Sequence, residues 1–433
     1  MKEIRIGVVG GFRGTSMVHA LKEIDFARIV AICDFNEAVL KEQKKYNEGL
    51  DIKYFKDFED LLKYDVDAVV LANYATEHAP FAIKALKAGK HVFSEVLPCQ
   101  TLKEAVELVE AVEETGLVYD YGENYCYMPA PMEMKKLYEQ GVLGEIEYGE
   151  GEYIHNCESI WHDITYGDKN HWRNLMYANF YCTHSIGPLI HITKQRPVSV
   201  VGFEGTKNER NLRVGAMGGQ FGIEMITLEN GGILRSTHGF LYRDSIWYSI
   251  YGSKGGAESS REATGTGVEK IYVNVDQYSG EYAAQNIRSY LPETPEIAKK
   301  FGHGGSDFFT VLHFLKKIRG DKDADIIDVY EALDMFLPGL MAYRSVLSGG
   351  MPMPVPDMRK KEERDQYRND TACVDEKVAG KMLLPTFSKG TPQIDDRVYD
   401  AVRRKYLKTV EEGDEYMTAV YGKGRGNGSN QKN

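Results

Sequence analysis

A tyrosine and a histidine, Tyr181 and His184, lie three residues apart before a stretch that is compatible with a helix, residues 186–192. Residues at this spacing share one face if the segment is helical. Histidine is the side chain whose ordinary pKa lies closest to neutrality, so the pair could exchange protons with a substrate. The alternative is a core histidine that is hydrogen-bonded beside a buried tyrosine.

A glycine-rich turn near the start of the chain is typical of a nucleotide site. The β-branched segment Ile4–Val9 predicts a strand, and residues 16–24 predict a helix. Between such elements, backbone N–H groups can approach a pyrophosphate at the helix N-terminus. Phe12 stands where the second glycine of a GxGxxG motif would fall. The predicted cofactor-binding residues of this turn are Gly10, Gly11, Phe12, Arg13 and Gly14.

Asp34 follows a second predicted strand, residues 28–33, at about the interval from Gly10 where a ribose-hydroxyl acceptor belongs. An acidic side chain at this place repels a 2′-phosphate, which favours NAD over NADP. The alternative is that Asp34 merely caps the predicted helix at residues 36–43.

Predicted strands and helices continue to alternate as far as residue 121, which indicates a doubly wound parallel sheet. Further strands are predicted at residues 67–71, 91–94 and 117–121, and helices at residues 77–88 and 102–114. Ligands bind at the carboxyl ends of the strands in such sheets. The polar residues that follow these strands include Asn73, Tyr74, Glu95 and Glu123.

The middle of the chain predicts a different sheet. Segments with strand character, separated by turns that contain Gly and Asn, are residues 198–205, 220–228, 233–237 and 247–252. This pattern indicates a meandering antiparallel sheet with one face against helices. We divide the chain into residues 1–124, 125–356 and 357–433. In the last part, residues 359–364 predict a solvated charged run, and a disordered tail is predicted from about residue 422.

Several motifs of the first part resemble the glucose–fructose oxidoreductase / inositol dehydrogenase (Gfo/Idh/MocA) family. They are Asn73, Glu77-His78, residues 85–92 and Glu95-Val96-Leu97-Pro98. The resemblance extends to about Pro356. It implies a nicotinamide-binding Rossmann domain followed by an α+β domain with a large open, mostly antiparallel sheet that holds a sugar or polyol. His78 and Asn124 join the cofactor-binding residues on this basis.

One departure from the family is informative. Many members carry Glu-Lys-Pro where this chain has Glu95-Val96-Leu97-Pro98, and that lysine helps to handle the hydroxyl proton. Because no lysine stands here, either the proton goes elsewhere or the chemistry differs from that of a plain dehydrogenase.

Motifs of the second part are similar to one branch of the family, the NAD-dependent glycosidases of the α-N-acetylgalactosaminidase type, which also lack the lysine. The resemblance implies that His184 and Tyr181 act at the reacting carbons and that Glu123 and Tyr153 line the sugar site. A further family tyrosine corresponds to Tyr242 or Tyr248. The motifs are residues 123–127, 151–155, 172–173 and 181–188.

The predicted substrate-binding residues are Tyr125, Trp172, Arg173, His155, Tyr242 and His303. Several structural alternatives remain. Glu123 could cap a helix or pair with a lysine, Tyr153 could be ordinary cross-strand packing, and Trp161 and Trp172 could pack an interface. Ser306 could cap the helix that follows the Gly-His-Gly-Gly stretch, near which His303 and Asp307 are expected to approach the cleft. The histidines and aspartates of residues 155–171 match no zinc spacing, so no metal is predicted and a substrate-covering loop is preferred.

The chemistry that the resemblance implies is oxidation of a sugar hydroxyl, at C3, by bound NAD. Elimination at C1, addition of water and return of the hydride would complete a redox-neutral cleavage of the glycoside. The alternatives are a sugar, glycoside or inositol dehydrogenase that releases NADH, and a non-catalytic sugar or nucleotide sensor.

Composition narrows the class of protein. A net charge of −11 disfavours binding to nucleic acid or an anionic membrane, and 42% hydrophobic residues fit an ordinary globular chain. We find no signal core and no apolar stretch that could span a bilayer, so a cytoplasmic location is expected. A homo-oligomer through the open sheet face is also expected, because that face would otherwise expose a large apolar patch.

Overall fold

The first half of the fold is a six-stranded, fully parallel sheet with the strand order β3-β2-β1-β4-β5-β6. The computed structural model describes residues 3–207, 209–261, 270–275 and 287–412. The strands are β1 Ile4–Val9, β2 Ala27–Cys33, β3 Lys53–Phe55, β4 Ala68–Leu71, β5 His91–Glu95 and β6 Tyr119–Gly122. The helices between them are α1 Gly14–Leu21, α2 Glu37–Tyr46, α3 Phe58–Lys63, α4 His78–Lys87 and α5 Leu102–Thr115. The predicted doubly wound sheet is confirmed, and β3 is a strand that the sequence analysis missed.

Local sequence signals explain where these helices begin and end, and α5 shows this most fully. The Glu104 N–H donates to Thr101 Oγ1 at 3.1 Å, and Glu104 Oε2 accepts the Gln100 N–H at 2.6 Å. One N–H of the first turn and one just before the helix are thereby satisfied, an arrangement close to a capping box. Gly116 ends the helix in the left-handed region, with φ of 61°.

The second sheet has nine strands in the order β14-β13-β12-β11-β7-β10-β9-β8-β15. All neighbouring pairs are antiparallel except β7 and β10, which run parallel. The strands are β7 Ile146–Ile154, β8 Pro197–Glu204, β9 Phe221–Leu228, β10 Ile233–Gly239, β11 Ser245–Gly252, β12 Gly255–Ser259, β13 Ile271–Val275, β14 Ile287–Tyr290 and β15 Met353–Pro354. The mostly antiparallel sheet is confirmed, although the sequence analysis missed its far edge, β12–β14.

Helices cover one face of this sheet and connect the two halves. The remaining helices are α6 Pro129–Glu139, α7 Trp161–Thr165, α8 Trp172–Leu175, α9 Thr183–Thr193, α10 Glu209–Val214, α11 Ser306–Ile318, α12 Val329–Leu347, α13 Lys361–Tyr367, α14 Glu376–Ala379 and α15 Asp396–Glu412. α9 and α12 lie on the inner face of the sheet, whereas α11 packs back against the parallel sheet, with Phe314 and Phe93 ring centroids 5.8 Å apart. α11 therefore completes the core of the first sheet from more than 180 residues away in sequence.

The outer face of the second sheet carries half-exposed apolar side chains. Phe203, Ile233 and Tyr251 lie on this face, turned away from α9 and α12, and are 51%, 42% and 52% exposed. The homo-oligomer expected from this face stays a prediction. No helix in the described ranges has both the length and the apolar character needed to cross a membrane.

The charged run of the C-terminal part agrees with its prediction except at its end. Residues 359–362 are exposed, as expected of a solvated run. Arg364 is 6% exposed and lies in α13, where its Nη1 is 2.7 Å from Glu113 Oε2 on α5, a partner that local composition does not reveal. The predicted disordered tail from residue 422 lies outside the described residues.

Gly151 on β7 allows α9 to lie directly against the sheet. A Cβ at this position would fall 1.7 Å from the Ser185 carbonyl oxygen, which is backbone and cannot move aside. We expect Gly151→Ala to lower the free energy of unfolding by more than about 2 kcal/mol in urea denaturation. Gly149→Ala on the same strand is the matched control, since its nearest neighbour, at 2.9 Å, is a Leu234 methyl group that can shift. Equal losses in the two variants would contradict this account of the α9 contact.

Candidate active site

Helix α9 presents His184 at the junction of the two sheets. Every residue of α9 is buried, and its backbone lies against β7 at Gly151. A Cβ on Gly187 would fall 2.9 Å from Cγ of Glu123, so this glycine makes room for the carboxylate that follows β6. The predicted helical placement of the Tyr181–His184 region is only half right, because α9 begins at Thr183 and Tyr181 precedes it.

The Glu123 carboxylate is fully buried and holds the His184 ring. Glu123 Oε1 lies 2.7 Å from His184 Nδ1 and also accepts the Tyr125 N–H at 3.3 Å. Its Oε2 accepts the Thr183 hydroxyl at 2.8 Å. When His184 is neutral, this arrangement places its proton on Nδ1 and leaves Nε2 able to accept one. Nε2 has no hydrogen-bond partner within the described part of the chain.

Glu123, predicted with His184, Tyr181 and Tyr153 to take part in catalysis, is the buried partner of the His184 ring. Both of its carboxylate oxygens are hydrogen-bonded to protein, and its exposed fraction is zero. Its part in catalysis stays a prediction. The helix-capping alternative is confirmed in part, since the Tyr125 N–H bond caps the short 3₁₀ helix Asn124–Tyr127. No lysine pairs with Glu123 in the described ranges. Glu123 therefore lies behind His184 and orients its ring.

Three tyrosine rings surround the His184 ring. The Tyr125 ring stacks on it with centroids 4.3 Å apart, and the Tyr153 and Tyr181 rings approach edge-on at 4.6 and 5.2 Å. Burial raises the pKa values of Tyr125, Tyr153 and Tyr181, and the Arg173 charge opposes this rise at Tyr181. These phenols therefore stay protonated at neutral pH and can donate hydrogen bonds. The contact between Tyr153 and His184 goes beyond the cross-strand packing that was the alternative.

The structure also separates the two candidates for a further tyrosine. The Tyr248 hydroxyl donates to the His184 carbonyl oxygen at 2.6 Å, and Tyr248 is 1% exposed. Tyr242, predicted to bind substrate, is 80% exposed, and its ring lies near the Arg210 guanidinium, 5.5 Å away. The structure does not bring Tyr242 to the cleft, because it lies in the turn after β10 whereas Tyr248 points inward from β11.

A cleft of about 290 Å³ runs along the carboxyl edge of the parallel sheet. Gly10 adopts φ of 87°, and a Cβ there would fall 2.3 Å from the Ala72 carbonyl oxygen, so only glycine fits. The open cradle suits the pyrophosphate of a dinucleotide. Residues predicted to bind the cofactor that line the cleft are Gly10, Phe12, Arg13, Asp34, Asn73, Tyr74, His78 and Glu95.

Asp34 lies on the cleft wall with its carboxylate fixed by backbone. Asp34 Oδ2 accepts the Gly11 N–H at 2.7 Å, and Oδ1 accepts the Asn36 N–H at 2.8 Å. Burial raises its pKa, and these two hydrogen bonds oppose the rise. The alternative that Asp34 caps α2 is wrong, since the N-cap is Asn36, whose side chain accepts the Ala38 N–H. A carboxylate with remaining lone pairs at this position fits the ribose of a dinucleotide.

Two predicted cofactor-binding residues, Arg13 and Asn124, bind carboxylates of the protein. Arg13 Nη2 lies 2.6 Å from Glu95 Oε1 and 3.2 Å from Asp307 Oδ1. The Asn124 amide donates to Asp307 at 2.9 Å and does not line the cleft. Burial tends to raise the pKa of Asp307, but the Arg13 charge reverses this and holds the pKa below its ordinary value. Asp307 thus joins the glycine-rich turn to α11.

Glu95 directly precedes the place where the family lysine is missing. Burial raises its pKa, Arg13 opposes the rise, and Asp307 reinforces it. The positive charge beside Glu95 therefore comes from the glycine-rich turn rather than from a neighbour in sequence. Lys56 also lines the cleft, but it pairs with Glu37.

The remaining predicted residues occupy different places around the site. Trp172 lines the cleft with Arg173 4.4 Å above its ring, and Arg173 also lines a smaller cavity of about 70 Å³ that includes Tyr153 and His155. His303 is bonded to Asp307 at 3.2 Å. His78 Nδ1 lies 2.9 Å from the Leu97 carbonyl oxygen and joins two strand-end loops.

Two structural alternatives are also decided. Trp161 packs on Phe240 and is 4% exposed, which confirms interface packing for this residue. Ser306 is the first residue of α11 and does not cap it, because Gly305 holds the N-cap position. Among the described residues, no group of three or more His, Cys, Asp or Glu side chains has a metal-binding arrangement.

Two parts of the chain match known protein families, and curated relatives resemble most of its length. Residues 4–123 match the oxidoreductase family model with an NAD-binding Rossmann fold (GFO_IDH_MocA), and residues 207–364 match the glycosyl hydrolase 109 C-terminal domain. A glycosyl hydrolase family 109 protein of Solibacter usitatus is 28% identical over 82% of this chain and 88% of its own. One from Streptomyces filamentosus is 25% identical over 83% and 78%.

Solved structures share the fold. An oxidoreductase from Agrobacterium radiobacter in complex with NAD+, L-tartaric acid and magnesium covers 82% of this chain and 99% of its own, with a TM-score of 0.66 and 15% identity. The WlbA dehydrogenase from Bordetella pertussis, in complex with NADH and UDP-GlcNAcA, covers 82% and 98% with a TM-score of 0.63 and 20% identity. With its two domain matches and this architecture, the chain is an enzyme that combines an NAD-binding Rossmann domain of the Gfo/Idh/MocA oxidoreductase type, residues 4–123, with a C-terminal domain similar to that of glycosyl hydrolase family 109, residues 207–364.

Proposed function

We propose that this enzyme binds NAD and oxidises the C3 hydroxyl of a glycoside. This oxidation is the first step of a redox-neutral cleavage of the glycosidic bond. The observation that carries the proposal is the buried Glu123–His184 pair, surrounded by protonated tyrosines beside a dinucleotide cleft. The absence of a lysine in Glu95-Val96-Leu97-Pro98 supports it further, because another group must take the hydroxyl proton. The family 109 glycosyl hydrolase relatives support a carbohydrate substrate.

His184 is proposed as the first proton acceptor. The chemistry that a bound nicotinamide supplies is acceptance of a hydride from the carbinol carbon and its return at the end of the cycle. His184 takes the hydroxyl proton through Nε2, since Nδ1 is bonded to Glu123. The buried carboxylate stabilises the imidazolium that forms, as an orienting acid does behind a catalytic histidine.

The later steps need proton donors, which the tyrosines supply. The ketone acidifies the neighbouring C–H, whose proton passes to a base as the C1–O bond breaks and the departing oxygen is protonated. Water then adds at C1 and a proton returns to C2, so that the net reaction is hydrolysis. Tyr153 and Tyr181 remain protonated at neutral pH because they are buried, which suits them to donate to oxygen rather than to act as phenolate bases.

Incubation with a panel of p-nitrophenyl glycosides tests this function. We expect nitrophenol to be released without net NADH, measured together by absorbance, with the free sugar identified by mass spectrometry. A keto-glycoside formed with stoichiometric NADH and no phenol would make the enzyme a dehydrogenase instead. Failure on the whole panel and on free polyols would favour the sensor.

The roles of His184 and Glu123 predict different losses. His184→Ala should abolish turnover while leaving NAD binding nearly intact, because the variant loses the proton acceptor but keeps the residues that line the cleft. Glu123→Gln keeps the shape but removes the charge behind the ring, so kcat should fall at least about 100-fold with KM changed little. Steady-state kinetics and NAD titration by fluorescence measure both effects. Activity of His184→Ala within a few-fold of wild type would remove His184 from the mechanism.

Asp34 is proposed to select NAD over NADP. Asp34→Ala should weaken NAD binding by about tenfold and narrow the preference over NADP, because a ribose acceptor and a negative charge are both lost. Calorimetric titration with each nucleotide measures the ratio. Glu48→Ala, at an exposed carboxylate just after α2, is the control. An unchanged ratio would place the ribose contact elsewhere.

A further inference from the structure

Residues 161–175 cover one side of the cofactor cleft, and we call them the roof segment. It comprises α7, α8 and the turn between them, and Tyr166 and His171 from this turn line the cleft. The Tyr166 ring meets the Phe12 ring edge-on at 6.4 Å, and the His171 ring meets Tyr74 at 4.8 Å. The roof segment therefore touches both the glycine-rich turn and the loop after β4, the two places where a dinucleotide would lie.

The C-terminal helix α15 lies directly on the turn of the roof segment. Gly167 adopts φ of 66°, and a Cβ there would fall 2.4 Å from the Arg403 backbone. Arg403 Nη1 donates to the Tyr166 carbonyl oxygen at 2.8 Å. The Tyr406 ring meets the Tyr166 ring edge-on with centroids 5.3 Å apart. At the start of the helix, Asp396 pairs with Lys169 at 2.8 Å. Tyr166 is thus held from behind by side chains and backbone of α15.

A second set of contacts anchors α15 to the body of the protein. Tyr399 is 6% exposed, and its hydroxyl donates to the Gly215 carbonyl oxygen at 3.1 Å. Val402 is 8% exposed and lies three residues after Tyr399, on the same face of α15. Residues 396–409 lie beyond both family-model matches, the second of which ends at residue 364. The anchoring contacts and the roof contacts use different residues, so they can be perturbed separately.

We propose that α15 is a clasp that positions Tyr166 over the bound dinucleotide and slows its release. Arg403 and Tyr406 are positioning residues in this arrangement, and Tyr166 is the residue that faces the cofactor. The roof segment must move before a dinucleotide can leave the cleft, and each contact with α15 opposes that movement. Contacts of this kind change dissociation rates more than association rates.

The clasp rests on the assignment of the cleft to NAD and not on the glycoside chemistry. It would serve the proposed cycle, because a hydride taken from the sugar in the first step must still be available in the last. Retention of the cofactor between turnovers is therefore what a redox-neutral reaction needs and what a dehydrogenase that releases NADH does not.

The test compares NAD release from the full-length holoenzyme and from variants of α15, without any sugar. Release is followed by the near-ultraviolet absorbance of the NADH that excess alcohol dehydrogenase and ethanol form from NAD once it has left the enzyme. We expect the double variant Arg403→Ala/Tyr406→Ala to release NAD about tenfold faster than wild type, with an unchanged association rate. Leu407→Ala, in the same helix and 44% exposed, is the control and should release NAD at the wild-type rate.

Gly167→Ala provides a second, independent perturbation, because the added methyl group displaces α15 without removing any of its side chains. Melting temperatures of the NAD-free proteins separate the clasp from a general loss of stability, since Tyr399 and Val402 still anchor the helix. Faster release from the double variant with an unchanged melting temperature supports the clasp. Wild-type release rates in the double variant and in Gly167→Ala, or rapid release from the wild type itself, would overturn it. Neither result depends on whether the glycoside panel reacts.

Discussion

The fully buried carboxylate of Glu123 is the constraint on which the rest of the site depends. An ionised carboxylate away from water is costly unless hydrogen-bond donors replace its hydration. Thr183, His184 and the Tyr125 N–H supply these donors from two elements that are about 60 residues apart. The junction of the two sheets must therefore form before the carboxylate is satisfied, and Gly187 is what lets α9 come close enough.

A second buried cluster joins the cofactor turn to the rest of the protein. Arg13 lies between Glu95 and Asp307, so one guanidinium balances two carboxylates from β5 and α11. Truncating one member of such a cluster leaves the others buried without a full complement of charge, which is why these residues act as a unit. Since α11 also packs against the core of the parallel sheet, the shape of the cleft depends on a helix that follows the second sheet in sequence.

The roof segment and α15 extend this dependence to the C-terminal part of the chain. The Tyr166 ring contacts Phe12 on one side and Tyr406 on the other, so a single aromatic residue links the glycine-rich turn after β1 to α15. Aromatic edge contacts are individually modest, of about 1 kcal/mol. Their effect on the release of a ligand comes from their place in the structure, because they lie across the route by which a ligand would enter or leave the cleft.

The sequence by itself determined the parallel sheet, the mostly antiparallel sheet, the glycine-rich turn and Asp34 at the end of β2, and it singled out His184 as the proposed proton acceptor. These features depend on short-range patterns of strand, helix and turn residues or on motifs with fixed spacing. Only the tertiary structure decided that Glu123 stands behind His184, that Asp307 holds Arg13, that Tyr248 and not Tyr242 meets α9, and that Arg364 is buried. Each of these depends on which side chains of distant segments meet, and hydrophobic periodicity carries no information about such partners.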